Sequence, residues 1–223
     1  MILITGADRI GKTTFAKYLG EFLQLPVYGF ADEVRKSFEA QIYFQSFHHL
    51  KVDYLKHTDE WMRLFKEHDR ELWNWLNKND EVKERLREDI VAFAENNKDR
   101  YGKDYWAYKL FKNHKDAPSS IIHDFRFDEE LFFILAQSNK RVKEHGLNHP
   151  LFKSTLPVMI HLITVENRNR AKTFSPTVTD WIKNVGHTFV ISDVNNYEDK
   201  EEWKSLMRRD AFDFSKYLKS FEI

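Results

Sequence analysis

An α/β fold built on a parallel sheet is predicted by three observations. A short apolar run, MILIT at residues 1–5, leads straight into a glycine-punctuated turn and then an amphipathic helical pattern. Apolar runs recur at residues 26–30, 119–124, 156–163 and 188–191, with helix-period sequence between them. No Pro/Gly/Ser-rich linker divides the chain. Strands alternating with helices pair in parallel through right-handed crossovers, and the helices cover both sheet faces.

The elements follow in order. MILIT suits a buried first strand, and TTFAKYLGEFL is a helix with Phe15, Leu19 and Phe22 or Leu23 along one face. PVYGF, residues 26–30, reads as a second strand, and a helix starts at Ala31 with Asp32 as its cap. From residue 33 to residue 114 charged and aromatic residues alternate with helical spacing, and no strand is predicted. SSIIHD, residues 119–124, restores sheet character; a helix near 127–138 and a polar loop near 139–155 come next. LPVMIHLI at 156–163 is a further strand, then a basic segment near 166–172, a helix near 178–185 and the strand 188–191. Residues 198–221 form a closing helix or pair of helices. The chain is thus one domain, 1–223, with core segments 1–32 and 115–223 and a helical insertion at 33–114.

Composition removes several function classes. Lys and Arg total 35 and Asp and Glu total 35, so a strongly basic nucleic-acid coat is excluded and no extended nucleic-acid surface is expected. With no cysteine, disulfides, thiolate catalysis and cysteine-ligated metals are ruled out. Ten histidines are scattered without metal-ligand spacing. Phe 19, Tyr 9 and Trp 6 mark an ordered globule despite a mean hydropathy of -0.63. No apolar run approaches the roughly 18 residues of a membrane span, and no secretory leader is recognisable. No membrane partner and a cytoplasmic location are therefore expected.

The turn after the first strand carries the chemistry. Gly6-Ala-Asp-Arg-Ile-Gly11-Lys12-Thr13 matches G-x-x-x-x-G-K-[ST] between a strand and a helix, the setting that motif requires. Glycines let the backbone curl so that successive N–H groups face phosphate oxygens, and the helix N-terminus adds positive potential. Gly6, Asp8, Arg9, Ile10, Gly11, Lys12, Thr13 and Thr14 are the predicted ATP-binding set. Lys12 would reach the β- and γ-phosphates and Thr13 would ligate Mg²⁺. The fold class becomes a three-layer P-loop NTPase with a five-stranded parallel sheet and a mostly helical substrate-binding insertion.

Other candidates gather at strand ends. Asp124 closes an apolar run, where a carboxylate reaching Mg²⁺ belongs, and Arg126 and Glu130 follow it. A plain helix start, with Asp124 capping and Arg126 paired to Glu130, explains the same residues. Asp32, Arg35 and Lys36 follow the second strand, and Arg35 or Lys36 suits an acceptor phosphate, as does a solvated helix face. Arg87 and Arg100 offer guanidinium forks within the insertion. Arg168 and Arg170, after the 156–163 strand, suit a lid that brings positive charge to a transferring phosphoryl group and excludes water.

In sum the pattern resembles the deoxynucleoside monophosphate kinases of large bacteriophages, within the wider nucleoside monophosphate kinase group. ITGADRIGKTTFAKYL, VYGFADEVRKSF, NKDRYGKDYWAYKLF, IIHDFRFDEE, VMIHLITVENR and HTFVISDVNNYEDKEEW carry the resemblance in order. It implies Lys12 and Thr13 at ATP and Mg²⁺, Asp32 and Arg35 near a small nucleotide acceptor, and Arg100 on a phosphate. Trp106, in the family's acidic–x–Trp stretch, and Glu130, at its matching acidic place, would bind the acceptor, as would Asp124 and Arg126, which lie at its reaction centre. The chain departs from the family after Arg170, where AKTFSPTVTDW lacks a His–x–x–Glu-like element, and residues 40–85 show no match. The expected activity is transfer of the ATP γ-phosphate to a (deoxy)nucleoside monophosphate, in the host cytoplasm if the chain is phage-encoded. Two other readings stay open: a P-loop kinase of another small acceptor, and a nucleotide-binding switch or ATPase acting with a protein partner. A homodimer is compatible with each.

Overall fold

The strand that leads to the glycine-rich turn is β1, Ile2–Gly6, buried along its whole length. The computed structural model describes residues 1–6, 10–47, 84–145, 158–163, 186–190 and 199–220. Along these, β1 is followed by α1 (Lys12–Leu23), β2 (Val27–Tyr28), α2 (Phe30–Phe47), α3 (Arg87–Tyr101) and α4 (Tyr105–Asn113). A 3₁₀ turn at Ala117–Ser119 then leads to β3 (Ile121–Ile122), α5 (Asp128–His145), β4 (Val158–Ile163), β5 (Gly186–Val190) and α6 (Lys200–Ser220). The protein is mixed α/β and mostly helical, with a small parallel sheet.

The strands hydrogen-bond in the order β2-β3-β1-β4-β5, every pair parallel. Pairing is longer on one side of β1, where Ile2 to Gly6 align with Val158 to Leu162. On the other side only Ile2 and Leu3 align, with Ile121 and Ile122. A parallel strand buried on both faces should be continuously apolar; ILI in β1 fits that rule, and the β4 sequence VMIHLI departs from it only at His161.

Packing divides the chain into two compact units, residues 1–29 with 110–223, and residues 30–109. In the first, α1 lies on α6. Phe15, Ala16 and Leu19 meet Trp203, Met207, Ala211, Phe214 and Leu218 in one buried cluster with Ile2, Ile4, Ile121 and Leu162. The α6 residues recur every three or four positions, so one helical stripe faces the cluster. In the second unit α2 packs on α3 through Phe38 and Phe93, whose rings meet edge-on at 5.4 Å. Trp106 of α4 joins Phe93 at 5.8 Å.

Several boundaries differ from expectation. β2 and β3 are two residues each, not five and six. Phe30 already belongs to α2, so Asp32 sits in the first turn of that helix rather than at its cap. There its charge still complements the helix dipole. Ser119 closes the 3₁₀ turn, and Ser120 Oγ donates to Ala117 O (2.6 Å), which removes both serines from the strand. The polar loop expected from residue 139 is helical up to His145. Lys, Arg and Glu there are good helix formers, and the first breaker is Gly146. β5 starts two residues early, at Gly186. The closing segment is a single helix, opened by Asp199, whose Oδ1 accepts from the Glu201 N–H at 2.8 Å. Among the described residues between 30 and 113 there is no strand. The helix expected at 178–185 and the basic segment at 166–172 lie outside the described residues.

Candidate phosphate-binding site

The turn between β1 and α1 is framed by two glycines that no other residue replaces without strain. Gly6 has φ +146°, and a Cβ there would stand 2.5 Å from Leu162 O and 2.6 Å from the Ile10 side chain. Gly11 has φ +91°, and its Cβ would stand 2.7 Å from the Trp203 ring. Gly6 is therefore pressed against β4 and Gly11 against α6, with side chains on both barred by conformation and by space. Gly11 is also the N-cap of α1 and has no side chain to take up first-turn N–H groups. A helix N-terminus of this kind attracts anions.

Lys12, the first residue of α1, is only 8% exposed and donates from Nζ to Gly6 O at 3.0 Å. The ammonium thus folds back across the turn, onto the carbonyl of the residue that opens it. Ile10 is 2% exposed and anchors the turn in the core. Thr13 is exposed and Thr14 half-buried. Asp8 and Arg9 lie outside the described residues.

Thr13 Oγ1 lies 3.3 Å from His123 Nδ1. His123 is 7% exposed and its backbone N–H donates to Tyr28 O at 3.1 Å, so it is held at the carboxyl end of the sheet beside β2. The contact brings the end of β3, with Asp124 next in the chain, alongside the start of α1. Sequence reasoning passed over His123 among the scattered histidines. Its place one residue before a strand-end aspartate was the available signal.

Asp124 is half-buried and Arg126 exposed. Glu130 is 7% exposed and accepts from the backbone N–H groups of Arg126 (2.9 Å) and Phe127 (3.1 Å). That is the returning half of a capping box at the start of α5. The expected Arg126–Glu130 association thus runs through the Arg126 backbone N–H, and Glu130 has a structural assignment.

The remaining candidates lie in the unit of residues 30–109. The Arg35 guanidinium donates to Asp32 Oδ1, and Lys36 pairs with Glu33 at 3.5 Å, both along α2. Arg100 is exposed, its guanidinium 5.2 Å from the Tyr101 ring centroid. Arg87 pairs with Glu84 at 3.3 Å on the surface. Trp106 is 3% exposed, and its indole N–H donates to Ala94 O at 3.2 Å. The expectation that Trp106 contacts an acceptor meets a ring already enclosed by its own unit. Arg168 and Arg170 lie outside the described residues.

No family model, curated protein or solved structure matches the chain. Among the described residues no helix is long and apolar enough to cross a membrane. No group of three or more His, Asp or Glu among them is placed to hold a metal ion by itself. A threonine hydroxyl at the start of α1, beside His123 with Asp124 next in the chain, is the kind of oxygen donor that suits Mg²⁺ keeping most of its ligands from phosphate and water.

Proposed function

We propose that the protein is a Mg²⁺-dependent phosphotransferase of the P-loop NTPase fold that moves the ATP γ-phosphate to a (deoxy)nucleoside 5′-monophosphate. The observation that carries the reading is the turn between a central parallel strand and α1. Both of its glycines have positive φ, and a buried Lys12 is turned onto Gly6 O. An ammonium held in this way has a weak neutral acceptor that a phosphate oxygen can replace with a stronger, charged one.

In this reading the turn and the N-terminus of α1 hold the triphosphate. Lys12 leaves Gly6 O and neutralises the β- and γ-phosphates. Thr13 and Asp124 would hold Mg²⁺, which when bound offsets charge on the phosphate oxygens. An oxygen of the acceptor monophosphate forms the new bond to the γ-phosphorus while the bridging oxygen leaves with ADP. The acceptor oxygen is already anionic, so no strong general base is needed, and positioning with charge neutralisation supplies most of the catalysis. Arg126 adds positive charge near the γ-phosphate. Asp32, Arg35, Lys36 and Arg100 are assigned to the acceptor, and Arg168 and Arg170 to a lid that keeps water from the γ-phosphate.

Purified protein incubated with Mg·ATP and each ribo- and deoxynucleoside monophosphate tests the proposal. ADP and a matching diphosphate should form together from at least one acceptor. Nucleotide binding with no diphosphate from any monophosphate would sink the phosphotransfer reading. It would leave a kinase of another acceptor or a partner-controlled ATPase.

A further inference from the structure

We propose that His123 is the positioning residue for Thr13: its Nδ1 accepts the Thr13 hydroxyl proton and so turns the oxygen lone pairs toward Mg²⁺. The inference rests on the nucleotide-binding reading above and assigns a residue that reading does not use. Three observations carry it. Thr13 Oγ1 and His123 Nδ1 are 3.3 Å apart although 110 residues separate them in sequence. His123 is buried, 7% exposed, so its ring is set by packing rather than by solvent. Its backbone is fixed as well, since the His123 N–H donates to Tyr28 O at 3.1 Å beyond the last β2–β3 pair.

The chemistry follows from what a hydroxyl can do. Thr13 Oγ1 has one proton and two lone pairs, and the proton turns freely unless something accepts it. A cation needs a lone pair, so a hydroxyl whose proton points at the ion is a poor ligand. A neutral imidazole carrying its proton on Nε2 offers Nδ1 as an acceptor. With the proton committed to His123, both Thr13 lone pairs are left for a cation. The opposite tautomer would take up a lone pair of Thr13 and leave its proton facing outward, better suited to a phosphate oxygen. The inference therefore commits to the Nε2–H form. Residues that orient a metal ligand in this way change metal affinity roughly 10- to 100-fold when removed.

The test measures binding, with no catalytic turnover involved. A fluorescent ATP analogue is titrated into the protein in EDTA, then Mg²⁺ is titrated into the complex. For His123→Phe, analogue affinity in EDTA should stay at the wild-type value. The Mg²⁺ concentration giving half of the metal-dependent change should rise about tenfold or more. His123→Asn, whose amide oxygen can accept the same proton, should recover most of that loss. Thr13→Ala should raise the Mg²⁺ requirement too, and adding His123→Phe to it should cost nothing further, because both act through one hydroxyl. A wild-type Mg²⁺ requirement in His123→Phe would overturn the inference. So would equal losses with and without Mg²⁺, or additive losses in the double variant. If the wild-type protein binds no ATP analogue under either condition, the proposed function fails together with the inference. If it binds with a Mg²⁺ dependence that His123 does not alter, the inference fails alone.

Discussion

Tyr28 shows how one side chain ties distant stretches of sequence within a unit. Its hydroxyl donates to both carboxylate oxygens of Asp116, at 2.8 and 2.9 Å, and its ring lies 4.3 Å from that of His114. Burial, then the hydrogen bond to Asp116, then the charge of that carboxylate push the Tyr28 hydroxyl from 10.0 to about 12. The unfolded chain therefore loses this proton first as pH rises. The stabilisation is fully present below pH 10.0 and disappears as pH passes through about 12. Tyr28→Phe should be less stable than wild type by about 1 kcal/mol at neutral pH. In denaturant titrations the gap should stay constant from about pH 7 to 9 and close above the ordinary tyrosine range. A gap that persists at the highest pH would show that the hydroxyl is not its source. At this scale the candidate site was partly legible. The pattern from Gly6 to Thr13 is contiguous, and local geometry alone makes it recognisable. His123 and Asp116 act through contacts of long sequence separation, to which no spacing rule points.

Between helices, the decisive contact is α6 against the turn that opens α1. Trp203 lies where a Cβ on Gly11 would go, at 2.7 Å, and Met207 is 3.0 Å from the same point. Gly11→Ala thus meets both an unfavourable φ, about 1 kcal/mol or more, and a steric clash. Trp203→Ala removes the clash but leaves a cavity, at about 3–5 kcal/mol. The double variant should be more stable than the sum of the two losses predicts, because the smaller side chain makes room for the new methyl. Additive losses, measured by denaturant unfolding, would mean that the tryptophan does not press on the loop. The apolar stripe Trp203, Met207, Ala211, Phe214 and Leu218 marks α6 as amphipathic from sequence alone. Its partner was not legible, since a stripe defines a buried face without saying what covers it. Element lengths suffered from the same locality. NKRVKEH has the polarity of a loop, although its propensities favour the helix found up to His145.

At the level of the molecule, the strand–helix alternation was legible because buried parallel strands are apolar throughout. The order β2-β3-β1-β4-β5 was not, because pairing depends on which crossover each helix makes. Two compact units, 1–29 with 110–223 and 30–109, give the proposed function a spatially resolved test. In hydrogen exchange, Mg·ATP should slow amides of β1, the turn and α1, whereas the acceptor monophosphate should slow amides of α2 and α3. Protection by the monophosphate confined to residues 1–29 and 110–223 would overturn the assignment of Asp32, Arg35, Lys36 and Arg100 to the acceptor. The placement of Trp203 under Gly11 also has a consequence in time. A ribosome adds Trp203, which backs the turn, 192 residues after Gly11 (203 − 11). At about 5–20 residues per second that interval is roughly 10–40 s. Throughout it the nascent chain carries the whole glycine-rich motif without the helix that shapes it. If the turn holds nucleotide as proposed, capture should wait for translation to pass α6, and a message cut short upstream of that helix should yield a polypeptide that competes poorly for ATP.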